Sequence, residues 1–172
     1  MRQPVDREPV TLQGATEQLW PVVERLGQLY RHDLSEFRGM VPRADGRFAF
    51  DQLPSFLGAA DRVAHLIRWG PTVAGFALTR HPSNRPSSVA AFFVVRALRR
   101  RSVGHRAALK LLHGRPGGWE ITFQEENPGA ARFWRAVAAS IGTGWQEEHR
   151  PVPGKPELPP DTWLLLNVPT PA

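Results

Sequence analysis

The sequence predicts a mixed α/β domain with a parallel strand–helix–strand unit at its centre, and three observations carry this. "SVAAFFVV" is a continuous apolar run, the pattern of a strand covered on both faces. A basic turn and a helical stretch to about Leu112 follow it, after which "GRPGG" breaks the helix and "WEITF" reads as a second strand. "NPGAARFWRAVAASIG" is then a helix bounded by Pro128 at its start and Gly142 at its end. A strand, a helix and a strand in that order form a crossover unit with parallel strands.

The flanking elements fit around this unit. A short strand is expected at Val10 to Leu12. Thr16 is then the expected N-cap of a helix with Pro21 in its first turn, where a missing N–H costs nothing. Leu19, Val22, Val23, Leu26, Leu29 and Tyr30 recur at helical spacing and carry that helix toward Phe37. "GRFAF" predicts a strand at Gly46 to Phe50, and "QLPSFLGAA" a short helical turn. "VAHLIRW" and "TVAGFAL", joined by Gly70 and Pro71, predict an antiparallel hairpin. "GWQEEH" and "TWLLLNV" read as two closing strands, separated by the connector "RPVPGKPELPPD" with its five prolines.

At 172 residues and 41% hydrophobic content the chain suffices for one core, so residues 1–172 are expected to form a single domain. With no cysteine, a disulfide, a thiolate zinc site and a cysteine nucleophile are all excluded. A cytoplasmic location is the expectation. The N-terminal "MRQPVDREPVTLQG" has no apolar leader, and no apolar run approaches the ~20 residues that span a bilayer. The six histidines show no HxxxH or HxH spacing, so no metal is expected. His65, on an apolar strand, reads as a structural histidine.

Charge is uneven. Between Asp61 and Glu120 there is no acidic residue, while half of the 22 lysines and arginines fall there. Such a block draws anions, whether nucleic acid, an acidic surface or a phosphorylated cofactor. Its densest part is "RALRRRSVGHRAALK", Arg96 to Lys110, between the buried strand and the following helix. A strand running into a helix presents unpaired N–H groups at the positive end of a helix dipole, an anion site before any side chain is counted. The dinucleotide pattern GxGxxG and the P-loop are both absent. A nucleic-acid module would spread its cations along a face with interleaved aromatics, and these cluster in one turn.

The stretch resembles the pyrophosphate loop of the GNAT acetyltransferase superfamily: Gln or Arg, two residues, Gly, one residue, then Gly or Ala. Arg99, Arg100, Arg101, Ser102, Val103 and Gly104 occupy this pattern, with Ser102 in place of the first glycine. That substitution is neutral only if the position does not need a positive φ. The Asn-containing "WEITFQEENPGAARFWRAVAASIG" and the upstream helix and hairpin are similar to further parts of the family.

The resemblance implies a mostly antiparallel mixed sheet of six to seven strands flanked by about four helices. It implies acetyl-CoA as co-substrate and direct transfer of an acetyl group to a primary amine on a small-molecule or peptide acceptor; dimers are common in the family. Val94 and Val95 would contact pantetheine, and the backbone from Arg99 through His105 and Arg106 would hold the phosphates. Arg96 and Arg115 read as solvated. Asn127, Phe133 and Trp134 match cofactor-side positions, and Asn127 also reads as a helix N-cap. Trp134 stands where many members carry a tyrosine that protonates the leaving thiolate, and an indole cannot serve as that acid. A catalytically silent acyl-CoA-binding protein is therefore an alternative. Candidate bases are Glu120, Glu126 and His32, with Glu125 also considered, and Tyr30, Asp33 and Glu36 are expected to bind a cationic acceptor.

Overall fold

The computed structural model describes residues 8–170; part of the N-terminal stretch in which no apolar leader was expected lies outside them. One seven-stranded sheet organises the chain. Its elements are β1 (Val10–Gly14), α1 (Trp20–Arg38), β2 (Arg62–Trp69), β3 (Thr72–Arg80), β4 (Ser87–Val94), α2 (Val103–His113), β5 (Gly117–Phe123), α3 (Pro128–Ile141), β6 (Gln146–Arg150) and β7 (Asp161–Val168). The strand order is β1-β2-β3-β4-β5-β7-β6. Every neighbouring pair is antiparallel except β4 and β5, which are parallel with α2 as their crossover. This is the predicted central unit.

Alternation along the strands sends side chains to two faces, and each face has its own helix cover. On one face α1 buries Trp20 and Val23 against Leu66, Phe76, Leu78, Ala91 and Phe93. On the other, α2 packs Val103 and Ala107 onto Ile67, Ala74 and Val94. On that face α3 packs Ala131, Trp134 and Val137 onto Trp119, Ile121, Phe123 and Leu164.

Several elements differ from expectation, each for a local reason. Gly46 to Phe50 is not a strand, because its backbone finds a side chain instead of a neighbour. The Gln28 amide donates to Phe48 O at 3.1 Å and accepts from Phe48 N at 2.7 Å, while Phe50 is buried in the α1-side core. Among the described residues three α-helices form where about four were expected, and Leu53–Phe56 closes as a single 3₁₀ turn. Thr16 precedes a 3₁₀ turn, Glu17–Leu19, with no capping bond from its side chain, and α1 begins only at Trp20. A further 3₁₀ turn, Arg96–Leu98, separates β4 from the basic loop.

The feature that positions a site is the parting of β4 and β5. Their ladder comprises Ser87↔Trp119, Ser88↔Glu120 and Val89↔Ile121 and ends there, although β4 runs on to Val94 and β5 to Phe123. The cause lies on the other edge of β4. Against β3, Leu78 pairs with Ala91 and Thr79 with Val89, so Ala90 is a bulged residue without a partner. A bulge bends its strand and increases local twist. Here it coincides with the point where β4 leaves β5, so Val89, Ala90 and Phe92 are only partly buried and not covered on both faces as expected.

Candidate functional site

The gap between β4 and β5 is a cleft of about 270 Å³. Its walls come from Val89 to Phe92 of β4, Thr122 to Gln124 at the end of β5, Asn127, Ala130 and Trp134 of the α3 segment, Tyr30 and Leu34 of α1, and Arg80 of β3. A second depression of about 320 Å³, between α1 and the 43–54 segment, has no residue of β4, β5, α2 or α3 in its wall.

At the C-terminal end of β4 the basic loop turns into α2 with unusual backbone geometry. Arg100 and Ser102 have φ of 61° and 58°, and among the described residues they are the two non-glycines with positive φ. Each such residue costs on the order of 1–3 kcal/mol, and residues held this way cluster at ligand-binding sites. The first helical bond runs from Arg106 N to Ser102 O at 2.9 Å, so the amides of Val103, Gly104 and His105 have no helical acceptor. Ser102 offers no side-chain cap. The turn therefore supplies unpaired N–H groups at the positive end of α2, and Arg100 and Arg101 are exposed beside it. Gly104 is helical; a Cβ there would lie 3.4 Å from both Phe133 Cε2 and Val94 Cγ2. A methyl there would make ordinary van der Waals contact, whereas a larger side chain would press the first turn of α2 away from β4 and α3.

The other residues expected on the cofactor side divide. The Val94 carbonyl accepts from Arg99 Nε at 2.8 Å. At Val95 the N–H donates to Ala74 O and the carbonyl accepts from Leu98 N. Asn127 Oδ1 accepts from Ala130 N at 3.0 Å, so the capping reading holds while the residue also lines the cleft. Phe133 stacks on Phe92 at 5.5 Å between ring centroids. Trp134 packs edge-to-face on both rings, is buried in the α3-side core, and also lines the cleft.

The expected acceptor and base residues lie elsewhere. Asp33 is held by Arg96 at 2.8 Å and by Arg99 at 2.5 Å. Its carboxyl is partly desolvated, but the hydrogen bonds from the two arginines outweigh that and keep its pKa below the usual value. Arg96, expected to be solvated, is exposed and pairs with Asp33 as well. Glu120 on β5 is 3.4 Å from Arg150, which stacks on Trp163. Glu126 is 3.9 Å from Arg38, whose guanidinium also takes Asp161 at 2.7 Å. His32 is exposed on α1 and 3.9 Å from Asp33. None of His32, Asp33, Glu36, Glu120 and Glu126 lines the cleft, and the described residues that do include no carboxylate.

Tyr30 is the expected residue that does line it. Its ring packs among Phe50, Phe76 and Phe93, and burial pushes the phenol up to about 12, so it keeps its proton at neutral pH. Arg80 was not anticipated, since its position near the end of "TVAGFALTR" carries no motif. Its site depends on the strand pairing, which sets it opposite Ser88 beside the parting strands.

Glu125, Glu147 and His149 lie close enough to share an ion, but Arg135 donates to both carboxylates and holds both of their pKa values down. Among the described residues no helix is long and apolar enough to cross a membrane.

No sequence-family model matches the chain, and no curated protein matches it. Solved structures do. An acetyltransferase from Thermus thermophilus is 18% identical with a TM-score of 0.65, over 92% of this chain and 96% of its own. A spermidine N-acetyltransferase from Vibrio cholerae, solved with CoA and spermine, is 12% identical with a TM-score of 0.62, over 92% and 95%. A GNAT-family acetyltransferase from Staphylococcus aureus is 12% identical with a TM-score of 0.62, over 94% of this chain and 100% of its own. Together with the parted β4 and β5 and the amide-lined turn into α2, these likenesses identify the fold of this chain as that of the GNAT acetyltransferases.

Proposed function

We propose that the protein is an acetyl-CoA-dependent N-acetyltransferase that moves the acetyl group directly from the thioester to a primary amine. One observation carries the reading: the gap between β4 and β5 opens beside the turn whose unpaired amides and exposed arginines suit a pyrophosphate. In this reading the amides of Val103, Gly104 and His105 hold the phosphates, and Arg100 and Arg101 add charge. Phe133 and Trp134 wall the cofactor channel, and the Asn127 amide is the polar group near its reactive end. A pantetheine amide that takes the Val94 carbonyl displaces Arg99 from it.

Acetyl-CoA supplies an activated acyl group on a thiol leaving group. The amine lone pair attacks the thioester carbon, the carbon–sulfur bond breaks, the nitrogen loses a proton and the departing sulfur gains one. Trp134 cannot donate that proton. Tyr30 is the protonated phenol on the cleft wall, and we assign it as hydrogen-bond donor to the oxyanion, while the sulfur takes its proton from water. With no carboxylate among the described lining residues, the amine enters in its neutral form or loses its proton through water. That same composition favours, as a second reading, an acyl-CoA-binding protein without transferase activity.

Acetyl-CoA at about 100 times its dissociation constant should stabilise the protein by roughly 2.7 kcal/mol. No shift in melting temperature at millimolar acetyl-CoA overturns both readings. A shift with no thiol release across a broad amine panel leaves only the second, and the absence of cysteine gives the thiol assay no protein background.

A further inference from the structure

Two arginines face each other across β2 and β3, and one of them lines the cleft. Arg62 and Arg80 are directly opposite in the ladder, an arrangement of like charges that weakens a sheet unless something offsets it. Both guanidinium groups lie over one ring, Phe56, at 5.8 and 5.4 Å from its centroid. Neutral groups take part of their hydrogen-bonding capacity, Arg62 donating to the Ser55 hydroxyl and Arg80 to the Gln52 side-chain Oε1. The one acid nearby, Asp61, is 3.8 Å from Arg62 Nε. Arg80 has no carboxylate within ion-pair distance among the described residues, and it is the one charged residue on the cleft wall. Burial, then the neighbouring Arg62, holds its pKa below the usual value, so the folded protein carries this cation at a cost.

We propose that the amine acceptor also carries a carboxylate, and that Arg80, backed by Arg62, is the specificity-determining residue that binds it. This rests on the acetyltransferase reading and deepens it. The acceptor class is an amino acid or a short peptide with its carboxylate close to its amine. Arg80 sits opposite Ser88, two residues from the bulged Ala90, so about 7 Å of strand separates it from the point where the cleft opens. That span suits a small amino-carboxylate. The cofactor phosphates are not the anion concerned. The loop that suits them follows Val94, about 20 Å along β4 from Ser88. A carboxylate bound here receives charge-assisted hydrogen bonds from a fork whose geometry matches it. A polyamine meets a cation and no counter-charge, the opposite of what Asp33 and Glu36 suggested in the sequence.

The test compares free amino acids and dipeptides with their C-terminal carboxamides as acceptors, measured with the wild type, Arg80→Gln and Arg80→Lys. The carboxamides have the less basic amine and so more of the neutral nucleophile at pH 7, which biases the comparison against the proposal. The wild type should favour the carboxylate in kcat/KM by on the order of 10- to 100-fold. Arg80→Gln should reduce this preference to near unity, while Arg80→Lys keeps part of it. Equal or better use of the carboxamide by the wild type, or an unchanged preference in a folded Arg80→Gln, overturns the assignment. If no acceptor is acetylated although acetyl-CoA still raises the melting temperature, the transferase reading fails alone. The carboxylate site is then decided by titrating N-acetyl amino acids and their carboxamides while following the Arg80 Nε–H resonance by NMR. Movement with the carboxylates only supports the site, and no movement with either overturns it.

Discussion

Ser102 pays for the turn into α2 with its backbone. Its φ of 58° is a conformation glycine adopts freely and other residues reach at a cost of about 1–2 kcal/mol. The family pattern has glycine at this position, so Ser102→Gly should relieve strain in the folded protein while adding entropy to the unfolded chain. These nearly cancel, and the expected outcome is a melting temperature within a few degrees of wild type with acetyl-CoA affinity retained or improved. Ser102→Val tests the same geometry from the other side. A β-branched residue at positive φ should lower stability by about 1–3 kcal/mol and weaken acetyl-CoA binding, measured by calorimetric titration. Equal affinity in the valine variant would show that the amides are not the phosphate grip. Gly104 makes a complementary point: its backbone is helical, yet a side chain there meets Phe133 and Val94 at 3.4 Å. Gly104→Val should therefore cost more cofactor affinity than Arg100→Ala, whose exposed side chain leaves the backbone donors in place.

At the scale of elements, the path of β4 is set on both sides by short-range packing. Near its C-terminal end β3 approaches so closely that a Cβ on Gly75 would lie 1.8 Å from Phe93 O. Gly75→Ala must push the two strands apart next to Val94, just before the basic loop. A loss on the order of 2–3 kcal/mol is expected, with acetyl-CoA binding weakened in parallel; denaturant unfolding and calorimetry on one sample check both. The sequence showed Gly75 as a glycine within a strand and nothing of what it approaches. The bulge at Ala90 was equally hidden, since it is a mismatch between two strands and neither carries it alone. Gly46 to Phe50 fails as a strand for the converse reason, having the right alternation but a glutamine side chain in place of a strand neighbour. By contrast α2, α3 and the β2–β3 hairpin were legible, because periodicity, Pro128, Gly142 and the Gly70–Pro71 turn are all local signals.

Across the whole molecule, folding divides what the sequence joins. The acid-free basic block is continuous in the chain, yet Arg80 goes to the cleft wall with Arg62 opposite it on β2, and Arg100 and Arg101 go to the loop at the other end of β4. The carboxylates expected as bases or acceptor ligands are dispersed by the fold, Glu126 to Arg38, Asp33 to Arg96 and Arg99, and Glu120 to Arg150. Charge pairing on this scale sets how stability responds to pH. His81 links β3 to β4, with Nε2 2.8 Å from the Thr79 hydroxyl and Nδ1 3.0 Å from the Ser87 hydroxyl, and its ring packs edge-on against Trp119. Burial, then Arg115 and His65, push its pKa from 6.5 to about 4, with Asp61 opposing. The unfolded chain therefore takes up this proton first as the pH falls, and stability present above about pH 6.5 is lost progressively toward pH 4. Discounted for solvent screening at a partly exposed ring, the loss is on the order of 1–2 kcal/mol. Asp33, Glu125 and Glu147 have lowered values instead, so their contribution persists to lower pH and disappears as they protonate below the ordinary carboxylate range. Acid destabilisation should accordingly come in two stages. Urea unfolding at about pH 7 and about pH 4.5 should show the first stage in wild type and a much smaller one in His81→Gln, whose neutral amide can still bond both hydroxyls. An identical pH slope in the two proteins would assign that stage to other groups.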